Sequence, residues 1–234
     1  MKALLLLLFI LTGYSDLSAQ DSTIVIIKAG NRVKDVLTAA DIYYYPEFTD
    51  GNVILKNGTM ISAKMNYSRL FDQMLFVGDK GDTLALADEK NIKFIAIGQD
   101  TFHYDGGYMR IIVDNDFVKL AEKHVWVVAD VRKMGTHNRP TTTVAVTSYS
   151  TYSDGIDAAK SRDLILNEDI VLRKETQYYF GNAYNQFVLA GKKRLQQLFP
   201  KEEESIEDYL KKNKVNFSKK DDVEKLAQYL TGFY

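Results

Sequence analysis

Three histidines, His103, His124 and His137, are the first places to look for acid–base or metal chemistry. None pairs with another at the one-turn spacing that lets two imidazoles share a metal ion. His103, in TFHYD, alternates with aromatic residues as strand side chains do. His124, beside Trp126, reads as a strand-edge residue. Nucleophilic catalysis needs a hydroxyl or thiol held against a base. There is no cysteine and no Gly-x-Ser-x-Gly turn. Paired carboxylates would suit glycoside chemistry. The candidates Asp105, Asp114 and Asp116 fall in turn-forming stretches, where Asp usually bonds its own backbone. DNDF lacks the remaining ligands of a calcium loop, and no phosphate-cradling glycine pattern occurs. The sequence therefore assigns no catalytic residue, no metal ligand and no cofactor.

Aromatic side chains form the second constellation. DIYYYPEF places Tyr43, Tyr44 and Tyr45 before Pro46. In an extended segment Tyr43 and Tyr45 face one side and Tyr44 the other, so the three do not make one platform. Sheet packing is the simpler reading. Pro46 then marks an edge where a partner can still reach a tyrosine. With His103, Tyr104 and Trp126, these tyrosines are the candidate ligand-contact residues.

The elements that must carry these residues are mostly strands. Asn57-Gly58 separates NVILK from TMISAKMNY and predicts a two-residue type I′ hairpin. Ile61, Ala63, Met65 and Tyr67 alternate with Met60, Ser62, Lys64 and Asn66, as a half-buried strand requires. Short β-prone runs continue to the region of Phe187, punctuated by Gly, Asp and Asn. They predict a mainly β fold over residues 21–187: an antiparallel meander forming a curved sheet, sandwich or open barrel. DFVKLAEKH is compatible with a short helix. Residues 135–155, rich in Ser and Thr, read as a long loop, with a flat polar hairpin as the other option. Met65, Met74, Phe76, Phe94 and Met109 line a greasy cavity or fill a core.

Beyond residue 188 the texture is helical. Lys192–Phe199 forms one short helix ended by Pro200, which can open the next. Ile206 and Leu210 share a face, and Asn213 terminates it. Ser218 with Asp221 resembles a capping box before a stripe of Val223, Leu226, Ala227 and Leu230. Two or three short helices over 188–234 are expected to dock on the sheet.

Residues 1–20 read as a secretory signal: Lys2, an apolar run from Ala3 to Leu11, and small residues near Ala19. That run is well short of the roughly 20 residues that span a bilayer, and no later stretch approaches that length. Lys and Arg number 30 and Asp and Glu 31, a balance that argues against nucleic acid as a partner.

YYYPEFTDGNVILKNGTMISAKMNY with GDTLALAD, and the ending LQQLFPKEEESIEDYLKKNKVNFSKKDDVEKLAQYL, resemble blocks in uncharacterised secreted β-rich proteins of Bacteroidota. The resemblance implies a periplasmic, cell-surface or extracellular setting and no known activity. Asp21-Ser22-Thr23 and Asp82-Thr83-Leu84 resemble O-glycosylation acceptors of that group, at Ser22 and Thr83. The expected function is an exported, non-catalytic binding protein of the cell envelope, with a partner protein, glycan or lipid as ligand. A carrier of apolar ligands in a β cavity is one alternative. A hydrolase whose site is assembled from dispersed Asp, Glu and His is the other.

Overall fold

The computed structural model describes residues 23–134, 140–141 and 168–234. Among the described residues twelve strands form one curved, open antiparallel sheet. They are β1 (Ile24–Ile27), β2 (Thr49–Leu55), β3 (Met60–Ser68), β4 (Gln73–Val77), β5 (Thr83–Ala85) and β6 (Ile92–Ile97), then β7 (Asp100–Tyr104), β8 (Tyr108–Asp114), β9 (Val118–Met134), β10 (Pro140–Thr141), β11 (Asp169–Asn182) and β12 (Phe187–Leu189). Their order is β1-β11-β9-β8-β7-β6-β2-β3-β4-β5, with β10 on β9 and β12 on β11. The path is thus two meanders joined at the β2–β6 pairing. Two short helices, α1 (Val33–Val36) and α2 (Ala39–Ile42), follow β1, and α3 (Lys192–Leu198), α4 (Glu203–Lys212) and α5 (Lys220–Thr231) close the chain.

Period-2 alternation decides what each strand buries. On β9, Val118, Leu120, Glu122, His124 and Trp126 share one face; register sets Leu120 opposite Phe180, Glu122 opposite Tyr178, His124 opposite Thr176 and Trp126 opposite Lys174. One end of this face, with Val118, Leu120 and Phe180, is covered by Leu195 and Phe199, Ile206 of α4, and Val223, Leu226, Ala227 and Leu230 of α5. At the other end Trp126 and Leu172 pack with Ile27, Val33, Leu37 and Leu70. A third cluster, Val53, Met65, Tyr67, Met74, Ile92, Ile95, Ile97, Phe102 and Tyr108, fills the β2–β8 half. Between these apolar regions lies a polar seam.

Several local expectations give way to different geometry. Leu55 N–H donates to the Thr59 carbonyl, Gly58 N–H donates to the Leu55 carbonyl, and within the Lys56–Thr59 turn only Gly58 has positive φ. The hairpin loop is therefore longer than a two-residue type I′ turn, with the Asn57 side chain accepting from Thr59 N–H at 2.9 Å. The DFVKLAEKH stretch is strand, because β8 and β11 bond it from both sides. The Ser218–Asp221 box does not form: α5 starts at Lys220 without a side-chain cap. Pro200 opens a 3-10 turn ahead of α4, and Asn213 is the C-cap of α4, as the sequence predicts.

Candidate functional site

The seam is built from strands that register brings side by side. Arg110 of β8 lies opposite Phe102 of β7 and Glu122 of β9. Its guanidinium donates to Asp100 Oδ1 at 2.8 Å and through Nε to Glu122 Oε1 at 3.0 Å, with Nη2 on the same oxygen. The Tyr45 hydroxyl donates to the other Asp100 oxygen at 2.7 Å. His124 Nε2 lies 3.1 Å from Glu122 Oε1, and Thr176 Oγ1 lies 3.0 Å from His124 Nδ1. An ionised carboxylate only accepts, so Nε2 carries the proton and a neutral ring takes the Thr176 hydroxyl proton at Nδ1. The result is a continuous chain, Tyr45–Asp100–Arg110–Glu122–His124–Thr176. Burial raises the Glu122 pKa, but bonds from His124 and Arg110 outweigh it and hold the carboxyl down at about 2.

Tyr44 sits over this chain. Its ring is 4.9 Å from the Arg69 guanidinium, 5.8 Å from that of Arg110 and 5.7 Å from the His124 ring. Asn66, 1 % exposed, fixes the segment. Its amide accepts from Tyr45 N–H at 3.0 Å and donates to the Tyr45 carbonyl at 2.9 Å. The backbone bends after an isolated bridge from Tyr43 to Ser68. The Tyr44 and Tyr45 rings therefore meet edge to face at 4.9 Å instead of pointing to opposite sides as strict alternation predicts.

Two cations beside the seam, Arg69 against Tyr44 and Lys174 against Trp126, have no carboxylate bonded to them among the described residues. Arg69 gives its terminal nitrogens to the backbone carbonyls of Ala40 and Tyr44, and its buried Nε has no partner among the described residues. The Lys174 ammonium lies 5.9 Å from the Trp126 ring. Burial and then the Arg69 charge lower the Lys174 pKa; burial likewise lowers that of Arg69. The Asp41 carboxylate acts on both charges from a distance but accepts from the Thr38 hydroxyl at 2.6 Å. Lys174, Trp126, His124 and Thr176 thus share one face of the β9–β11 pair, and Tyr44 joins that face to Arg69 through its contacts with His124 and the guanidinium.

The six residues singled out from sequence divide. Tyr44, Tyr45 and Trp126 border the seam, although Trp126 is 1 % exposed and donates its indole N–H to the Asp41 carbonyl at 3.0 Å. Tyr43 stands apart against Phe48, and Tyr104 packs on Tyr108 at 5.0 Å. His103 lies elsewhere, between Phe94 and Phe187, where burial lowers its pKa. Met65 and Met74 are core, with Phe76 packed against them; Met109 is buried as well. Asp105 accepts from Phe187 N–H, and Asp114 pairs with Lys119. Thr83 is exposed on the edge strand β5. Ser22, His137, the 1–20 signal and the 135–139 and 142–155 parts of the Ser/Thr-rich segment lie outside the described residues. Sequence reasoning missed Arg69, Arg110, Glu122, Lys174 and Thr176.

The architecture defines the class: a curved, open antiparallel sheet backed by three C-terminal helices, with a polar seam between its cores. Comparisons of the chain with protein-family models, curated proteins and solved structures find no match.

Proposed function

We propose that this is an exported, non-catalytic binding protein of the cell envelope, and that the face around Tyr44 and Trp126 takes an anionic group attached to a flat or apolar body. One observation carries the ligand class. Arg69 lies against the Tyr44 ring and Lys174 against the Trp126 ring, the Arg69 charge lowers the Lys174 pKa, and neither is bonded to a carboxylate among the described residues. Two like charges held together are unfavourable until an anion joins them, and desolvated cation–anion bonds are among the stronger polar contacts. Export is supported by the leader-like residues 1–20, and a protein, glycan or lipid bearing such an anion fits the reading.

Trp126 is the single tryptophan, so its emission reports on that face. Titration of the mature protein with benzoate is expected to shift that emission saturably. Lys174→Gln should weaken binding by about tenfold, the worth of one charge-assisted hydrogen bond. Emission unmoved by benzoate, or equal affinity in the variant, would sink the ligand class. Intact mass of protein from its own host tests the export half. A polypeptide that keeps residues 1–20 speaks against it, and a mass increment would mark a glycan at sites such as Thr83.

A second reading has its own observation. Thr176, His124 and Glu122 stand in the order hydroxyl, imidazole, carboxylate, the connectivity of a nucleophile, its base and the group that orients the base. Against it, Glu122 already shares its charge with Arg110, and β9 and β11 pair with each other here, spending backbone N–H groups an oxyanion would need. Hydrolysis of p-nitrophenyl acetate that disappears in His124→Ala would favour this reading over the binding one.

A further inference from the structure

The two neighbours of β3 do not cover it equally. β2 pairs with it from Met60 to Met65, whereas β4 pairs with it only from Met65 to Ser68. Met60–Ala63 therefore has a strand on one side and, among the described residues, none on the other. Leu55 N–H donates to the Thr59 carbonyl. Antiparallel bonding alternates from that pair, so Ile61 and Ala63 bond β2, while the backbone groups of Met60 and Ser62 point to the open edge. Such edges are usually blunted by proline, a bulge or a charge. Here the one charge nearby, Lys64, is held on Asp50 at 3.2 Å.

The two faces of this edge differ. Ile61 is in phase with the core residues Met65 and Tyr67, yet it is 51 % exposed. With Val53, Leu55, Leu86 and Ile92 it walls an apolar cleft of about 380 Å³, whose two charges, Lys56 and Asp88, are of opposite sign. On the other face Ser62 Oγ donates to Asn52 Oδ1 at 2.6 Å, beside the Lys64–Asp50 pair. One face is thus apolar and the other polar, and the charges on each balance. An uncharged strand with alternating apolar and polar side chains complements both.

We propose that Met60–Ala63 is a strand-addition site: an extended, uncharged peptide pairs antiparallel with this edge, its apolar side chains entering the cleft beside Ile61 and its polar ones lying over Ser62. Backbone bonds supply affinity and the cleft supplies specificity. A second copy of the chain fits poorly, because its own β4, which takes this edge from Met65 onward, would approach the Asn57–Thr59 turn. The anion-binding face lies on the β9–β11 pair, and either site can stand without the other.

The probe is an acetylated, amidated heptapeptide in which threonine and leucine alternate. Directly opposed residues of an antiparallel pair share a face, so the threonines lie over Ser62 and theirs are the N–H groups that bond the edge. N-methylation of the threonine amides is expected to weaken binding by about tenfold or more, the worth of at least one hydrogen bond. N-methylation of the leucine amides, which point to solvent, should leave it unchanged. Amide hydrogen exchange followed by NMR should slow at Met60 and Ser62 when the unmethylated peptide is added, but not at Ile61 and Ala63, which already bond β2. Ile61→Glu, at a half-exposed position, should abolish binding with the fold intact. Equal affinity for the two methylated peptides, or no slowing at Met60 and Ser62 with the peptide, would overturn the proposal. So would edge amides that already exchange slowly in the free protein, because the edge would then have another occupant.

Discussion

An Arg110→Leu variant is expected to lose roughly 3–5 kcal/mol of stability at about neutral pH, the range for removing one partner of a buried ion pair. Arg110 is the only described group that bonds both Asp100 and Glu122, and the Glu122 side chain is 6 % exposed. Leucine leaves that carboxylate in the sheet with only His124 beside it, and removes the cation from the Tyr44 ring. The loss should itself depend on pH. In the wild type the folded pKa of Glu122, about 2, lies below the ordinary 4.5. Its stabilisation is therefore complete above the unfolded pKa and is lost as pH falls through the folded one. Asp72 works the other way: burial raises its pKa, so protonation favours the folded state and offsets part of the acid loss. In the variant, burial dominates at Glu122 and its pKa rises, so the gap to wild type narrows on acidification. Urea midpoints measured at neutral and acid pH give both results. A gap that is small, or that widens in acid, would contradict the assigned role.

Elements with local signals were legible in the sequence; those set by distant partners were not. The stripe of Val223, Leu226, Ala227 and Leu230 announced α5, and all four residues are fully buried. The alternation from Ile61 to Tyr67 announced β3. Local pattern could not place β6 beside β2 or β11 between β1 and β9, because such pairings are chosen by the assembled sheet. DFVKLAEKH, with Leu, Ala, Glu and Lys, is locally compatible with helix; ladder bonds on both sides override that preference. The capping box failed because α5 starts further along the chain: Asp222 accepts from Asn216 N–H, and Ser218 N–H is taken by the Asn216 side chain.

The site was legible only in its aromatic part. Tyr44, Tyr45 and Trp126 stood out by type. Arg69 of the β3–β4 loop, Arg110 of β8, Glu122 of β9, and Lys174 and Thr176 of β11 are ordinary residues far apart in sequence, brought together only by the assembled sheet. One signal was present: Glu122 and His124 occupy the same alternating positions as Val118, Leu120 and Trp126. A charged side chain in the buried phase of a strand needs a partner or a task. Read that way, β9 alone points to the seam, though not to Arg110 as the partner.

Lys123→Met should cost a similar amount, roughly 3–5 kcal/mol, by a different route. The Lys123 ammonium is 2.6 Å from Asp72 Oδ2, with side chains 11 % and 12 % exposed. Asp72 also accepts from the Tyr67 hydroxyl at 2.7 Å and from Tyr108 N–H at 3.2 Å. One carboxylate thus ties the β3–β4 loop to the starts of β7–β8 pairing and to β9. Burial already raises its pKa, and the Lys123 charge is the largest influence opposing that rise. Methionine preserves the packing of the lysine stem but removes the charge, so the Asp72 pKa climbs further. A folded pKa above the unfolded one means that stability returns as pH falls, and the variant should regain much of its loss in acid. Lys123→Met with Asp72→Asn should recover most of the loss even at neutral pH, because a neutral amide can still meet Tyr67 and Tyr108 without a buried charge. Gly107 supplies the corresponding steric test: a Cβ there would run into both the Lys123 ammonium and Asp72 Oδ2, so Gly107→Ala should mimic part of the Lys123→Met effect. A double-mutant cycle in denaturant measures the coupling. Additive costs, with no recovery in the double variant, would show that the Lys123–Asp72 pair does not hold this corner of the sheet.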